Sequence, residues 1–173
     1  METPLTPNVR APSGWRRLIL PLVWSKPGSW LISRLKHRLE RPPLRWTRGR
    51  VSFTSLLAGL PIISLTTTGA KSGLPRTAPL VAVEDGERLV IFASNFGQAH
   101  YPAWYRNLTD HPQVRVMLRG QERAYSARET EGAERDAYWA VAVKLYPGYQ
   151  AYKARTGGRP IPVIVLTLEP AAA

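Results

Sequence analysis

The chain is 173 residues long, 44% hydrophobic, and carries a formal net charge of +12. That length suits one domain with an appendage, and the apolar share can fill a core, which excludes wholesale disorder. The absence of cysteine removes disulfides, thiol catalysis and cysteine metal sites, and His37, His100 and His111 lack the spacing of a metal set.

Charge is unevenly placed. Residues 1–50 hold 11 Lys and Arg against 2 acids, and residues 51–173 hold 13 against 10. This divides the chain into a basic N-terminal arm, residues 1–50, and a mildly basic body, residues 51–173. The pattern suits an anionic surface or an anionic ligand tail, and argues against a whole-domain nucleic-acid face. Residues 1–13 are rich in turn formers and are expected to lack regular structure. The apolar run Leu18–Trp24 falls far short of the ~20 residues of a membrane span. Arg16-Arg17 precedes it without the small-residue cleavage site of an export signal, so a cytoplasmic protein is expected. Ser29–Glu40 reads as a helix capped by Ser29, with Leu31, Leu35 and Leu39 on one stripe and Arg34, Lys36, His37 and Arg38 on the other face. Such a helix either lies on an anionic bilayer or packs across the mouth of the body with its polar face solvated.

From residue 51 the pattern changes to short strands. Ile62–Thr66 and Ala78–Val83 are β-branched and apolar, and Gly69, Ser72, Gly73 and Pro75 force a tight loop between them. Glu87–Ser94 pairs back through Asp85-Gly86, a hairpin signal. Pro102–Leu108 reads as a short helix with Pro102 at its first position, stopped by His111-Pro112. Val114–Leu118 and Arg123–Glu129 form a second hairpin around Arg119-Gly120. Ala133–Leu145 is a helix with Ala137, Val141 and Leu145 on its apolar side. Tyr149–Arg155 is another helix, started by Pro147, and Pro162–Leu168 is a last strand. Six strands with inserted helices predict a small closed or nearly closed β-barrel, an α+β fold dominated by β. Neither a dinucleotide-binding nor a Walker A glycine pattern is present.

Three segments carry chemistry. In the loop at Gly69–Arg76, Lys71 and Arg76 project beside exposed backbone N–H groups, which suits a phosphate or carboxylate. In Phe92–Leu108 the strand ends near Ser94 at Asn95-Phe96-Gly97, a turn that offers successive N–H groups near a helix start; the alternative is an ordinary connection with Trp104 in the core. In Leu145–Thr156, Tyr146, Tyr149 and Tyr152 recur every third residue, so Tyr149 and Tyr152 share a helix face. They form either the wall of an apolar pocket with O–H donors or a packing face. No nucleophile motif and no carboxylate pair stands out; Glu84, Asp85 and Glu87 read as turn residues. Anion-holding loops and aromatic walls without a reactive side chain fit an enzyme whose cofactor carries the chemistry.

Together, TTTGAKSGLPRTAPL, ASNFGQAHYPAWYRNL and LYPGYQAYKARTGGRPIPVIVL resemble the deazaflavin-dependent nitroreductase family over about residues 51–169. The resemblance implies a split β-barrel of the flavin- and deazaflavin-binding kind. It implies coenzyme F-420, a deazaflavin with an anionic oligoglutamate tail, as hydride donor to quinone-like or nitroaromatic acceptors. It assigns Lys71, Ser72, Arg76, Pro79, Ala93, Ser94, Asn95 and Gly97 to the cofactor, and Tyr146, Tyr149 and Tyr152 to the acceptor. Tyr149 and Ser94 would meet charge developing on the acceptor. Ala70 stands where relatives carry arginine, so one tail contact is altered. Arg45, Arg48 and Arg50 are further candidates for the tail. No metal is implied. The alternatives are a flavin mononucleotide enzyme on the same barrel and a non-catalytic lipid or cofactor carrier.

Overall fold

The structure is a computed structural model and describes residues 61–170. The turn-rich start, the Ser29–Glu40 helix, the arginines at 45, 48 and 50 and the arm boundary lie outside them. Six strands follow in order: β1 Ile62–Thr68, β2 Pro75–Asp85, β3 Arg88–Phe92, β4 Gln113–Leu118, β5 Gln121–Glu129 and β6 Val163–Leu168. Helix α1, Ala103–Asp110, joins β3 to β4; α2, Gly132–Leu145, and α3, Gly148–Arg155, lie between β5 and β6. All pairings are antiparallel, and the sheet closes as β1-β2-β3-β6-β5-β4. The expected six-stranded barrel is therefore present.

Strand alternation sorts the apolar residues into two cores. Leu89 and Ile91 of β3 and Ile164 and Leu166 of β6 point into the barrel with Ile63, Leu65, Val114 and Val116, and α1 contributes Trp104 and Leu108. Their neighbours Val90, Phe92, Val163 and Val165 point outward and are covered by Tyr138 and Ala142 of α2 and Tyr149 and Tyr152 of α3. Burial on both faces explains why β3 and β6 read as unbroken apolar runs. Helix α2 turns differently from expectation. Ala137 is exposed, while Tyr138 and Ala142 are buried and Val141 and Leu145 half-buried. The aromatic ring of Tyr138 offers more area to the outer core than a methyl group does, so it sets the buried face.

The barrel opens along one line. Pro75–Val81 of β2 pairs only with β1, and pairing with β3 begins at Ala82↔Ile91. Continuing that register would set Pro79 opposite Ser94. The chain does not continue it: Ala93 stays on the β6 side, its N–H donating to Pro162 O (3.0 Å), while Ser94 N–H turns back to Phe92 O (2.8 Å) and Ser94 adopts helical backbone (φ −69°, ψ −32°). A split therefore opens between the first half of β2 and the end of β3. It also explains how Pro75 and Pro79, which lack an N–H, are accommodated in a strand.

Candidate active site

The β1–β2 turn folds on its own backbone. Gly69 N–H donates to Leu74 O (2.9 Å), Gly73 N–H to Gly69 O (2.8 Å), Ser72 N–H to Gly69 O (3.1 Å) and Leu74 N–H to Ser72 Oγ (3.3 Å). Lys71 and Ser72 are exposed on it. Arg76 is not on the turn as expected but within β2, opposite Thr67, because the strand begins three residues earlier than its apolar pattern shows. It is exposed there, so two cations still stand at this end of the split. The Ser72 hydroxyl serves the turn itself. Beneath it, Asn107 of α1 accepts from Ala70 N–H (3.1 Å) and donates to Thr67 Oγ1 (3.0 Å), and Thr67 Oγ1 donates to Arg76 O (3.3 Å). Buried Asn107 thus ties the turn to α1, a link the sequence pattern does not show.

At the other side of the split lie buried Ala93, half-buried Ser94 and Asn95, and the 3-10 turn Asn95–Gly97. Three successive residues take left-handed backbone: Asn95 (φ 45°), Phe96 (φ 56°) and Gly97 (φ 78°). Two of them are not glycine, which is an unfavourable arrangement that its surroundings must hold. The expected run of outward N–H groups is partly used up, since Gly97 N–H donates to Ser94 O and Gln98 N–H to Asn95 O. The Asn95 side chain donates to Gln98 Oε1 (3.2 Å) and His100 O (3.1 Å). At Gly97 a Cβ would meet Tyr152 O at 2.9 Å, so glycine lets the turn seat against α3. The Ser94 hydroxyl has no hydrogen-bond partner among the described residues. Pro102 precedes α1 rather than opening it.

The three tyrosines meet. Ring centroids lie 5.3 Å apart for Tyr146–Tyr149, 6.0 Å for Tyr146–Tyr152 and 6.1 Å for Tyr149–Tyr152. Phe92 at the end of β3 packs on Tyr149 (5.0 Å), and Phe96 on Tyr152 (6.0 Å), so this cluster adjoins the turn beside the split. The Tyr146 and Tyr152 hydroxyls bond each other at 3.0 Å. Tyr149 is only 6% exposed, and its hydroxyl has no hydrogen-bond partner among the described residues. Burial pushes that phenol well above its ordinary pKa, with Tyr152 adding to the effect, so it remains protonated. A buried, unpaired donor costs stability unless something accepts from it.

Arg159 was also missed by sequence reading. Its guanidinium lies among the carbonyls of Ala93, Ser94 and Gln98 and 4.7 Å from the Tyr101 ring centroid. Loss of water lowers its pKa and Tyr101 opposes that shift, but a guanidinium remains a cation. Asn107 of α1 and Tyr101, two residues before that helix, thus stand on the two sides of the split.

A family model described as F420H(2)-dependent quinone reductase matches residues 38–168. The chain belongs to that family. An F420H(2)-dependent quinone reductase of Mycobacterium tuberculosis is 34% identical over 133 residues, covering 75% of this chain and 88% of that protein. Among solved structures, an F420-H2 dependent reductase, FDR-A, is 41% identical with a TM-score of 0.56, covering 61% of this chain and 93% of the other. A second, described as a domain-swapped dimer, is 35% identical with a TM-score of 0.58, covering 82% and 99%. Membership in the quinone reductase family makes the chain an oxidoreductase that uses coenzyme F-420, in agreement with the expectation from the sequence.

Proposed function

We propose that the split between β2 and the Ser94–Gly97 turn holds the deazaflavin, and that the enzyme reduces quinone-like and nitroaromatic acceptors beside the tyrosine cluster. The observation that carries this reading is the buried Tyr149 hydroxyl, without a hydrogen-bond partner among the described residues, in a tyrosine cluster that adjoins the turn where the barrel opens. When bound, reduced coenzyme F-420 supplies the hydride. Lys71 and Arg76 bind the anionic tail, as exposed cations at one end of the split. Pro79 and Ala93 flank the ring without polar demands, and Ser94, Asn95 and Gly97 shape the turn against it. Tyr146 and Tyr152, locked hydroxyl to hydroxyl, form an apolar wall that excludes water.

Reducing a quinone takes two electrons and two protons, and a hydride brings both electrons and one proton equivalent. The second proton comes from solvent. Tyr149, which burial keeps protonated, donates a hydrogen bond that favours charge on the acceptor oxygen. The Ser94 hydroxyl is a second donor for the same atom.

The N-terminal arm, with its +9 charge, suits a cytoplasmic enzyme that works at the inner face of an anionic membrane on lipophilic acceptors. No helix among the described residues is long and apolar enough to cross a membrane. Purified protein given reduced coenzyme F-420 should oxidise it with quinones and nitroaromatics, and should not use reduced flavin mononucleotide in its place. Binding without acceptor-dependent oxidation would make it a carrier, and preference for the flavin would overturn the cofactor assignment. Liposome flotation that is equal with and without residues 1–40 would remove the membrane role.

A further inference from the structure

Arg159 lies in the connection between α3 and β6, outside the three segments assigned to the site. A guanidinium has five N–H donors and no acceptor. Here Nε donates to Gln98 O (3.1 Å), Nη1 to Ala93 O (3.2 Å) and Pro160 O (3.0 Å), and Nη2 to Ser94 O (3.0 Å) and Gln98 O (3.0 Å). All five donors therefore meet backbone carbonyls, and four of the five bonds go to residues 93–98. No ion pair forms at Arg159 among the described residues. Its plane is instead covered by Tyr101.

This is an unusual use of a buried-side cation, and its consequence follows from peptide planarity. A carbonyl and the N–H of the next residue point in opposite directions. With the Ala93, Ser94 and Gln98 carbonyls turned toward Arg159, the Ser94, Asn95 and Ala99 N–H groups are turned away from it. Ser94 N–H is taken by Phe92 O (2.8 Å). The Asn95 and Ala99 amides have no acceptor among the described residues. This stretch holds three successive left-handed residues, Asn95, Phe96 and Gly97; asparagine and glycine tolerate that conformation, but Phe96 is strained in it.

We propose that Arg159 is a positioning residue, whose guanidinium fork holds the strained Ser94–Gln98 turn so that its Asn95 and Ala99 amides face the ring end of the cofactor. This rests on the reading that the split holds the deazaflavin. Lysine preserves the charge, but its compact ammonium cannot reproduce five donors in a planar fork.

The test uses the full chain, with coenzyme F-420 and its tail-less 8-hydroxy-5-deazaflavin headgroup as probes and fluorescence titration as readout. R159M and R159K should each weaken binding of both probes by a similar factor, roughly tenfold or more, because a shifted turn misplaces its contacts. K71A, measured in parallel, should weaken only the tailed form. If S94A and K71A weaken binding while both Arg159 variants bind the headgroup as the wild type does, the role of Arg159 is refuted and the site stands. If neither S94A nor K71A alters binding, the site itself is misplaced. Should the Arg159 variants not fold, amide spectra of the wild-type protein decide. Headgroup addition should shift the Asn95 and Ala99 N–H resonances, and unmoved resonances would refute the proposal.

Discussion

Tyr149 pays for function in the free protein. Its hydroxyl is buried without a partner among the described residues, a situation that costs about 1–3 kcal/mol when a donor is left unsatisfied. Tyr149→Phe should therefore raise the unfolding free energy of the unliganded protein by about 1 kcal/mol, measured by denaturant titration. The same change should slow acceptor reduction. Asn107 behaves in the opposite sense. Asn107→Ala leaves Ala70 N–H without its acceptor and Thr67 Oγ1 without its donor beneath the β1–β2 turn, and should cost about 1–3 kcal/mol while weakening cofactor binding. Single residues were unevenly legible in the sequence. Lys71, Ser94 and the tyrosines stand in patterned segments. Asn107 and Arg159 act through partners that are 37 to 66 residues away, and no local spacing announces them.

The elements were legible where their periodicity was strong. The strands β1, β3, β4, β5 and β6 and the three helices fall near their expected places, because alternation and breakers mark them. Strand β2 was underestimated at its start because Pro75 reads as a loop signal, and the unpaired side created by the split accommodates it. The face of α2 was misjudged because the outer core selects aromatic area over the spacing of small residues. That helix is pinned to the β2–β3 hairpin by Tyr138, whose hydroxyl donates to Asp85 Oδ2 at 2.7 Å, and to β5 by Arg128, which holds Glu134 through two bonds of 2.8 and 2.9 Å. Burial, and then the Asp85 bond, push the Tyr138 pKa up to about 12 from an ordinary value of 10.0. The folded state thus keeps a proton that the unfolded chain releases. The contribution is whole below pH 10 and is lost as pH rises toward 12. Thermal unfolding from pH 9 to 12 should show the loss, and Tyr138→Phe should flatten that limb. Tyr105 and Tyr149 are raised in the same direction, so the limb should shrink rather than vanish.

At the scale of the molecule, a closed barrel with two cores supports one deliberate irregularity, the parting of β2 from β3. The inner core fixes the barrel, and the outer core fixes α2 and α3 against it. Between them, the departing turn is seated on α3 at Gly97 and tied back by Arg159, while α1 supports the cationic turn through Asn107. The barrel class was legible from the succession of hairpins. The split was not, since it depends on Ser94 N–H folding back to Phe92 O, a backbone choice that no residue type announces. This arrangement separates two tasks, gripping a charged tail and presenting a donor to the acceptor. Single-turnover oxidation of reduced coenzyme F-420 by a simple quinone, followed as the cofactor concentration is varied, measures both at once. Lys71→Ala should raise the cofactor dissociation constant roughly tenfold with the limiting rate nearly unchanged, and Tyr149→Phe should lower the limiting rate roughly tenfold with affinity nearly unchanged. Wild-type affinity in the first variant together with a wild-type rate in the second would contradict the account.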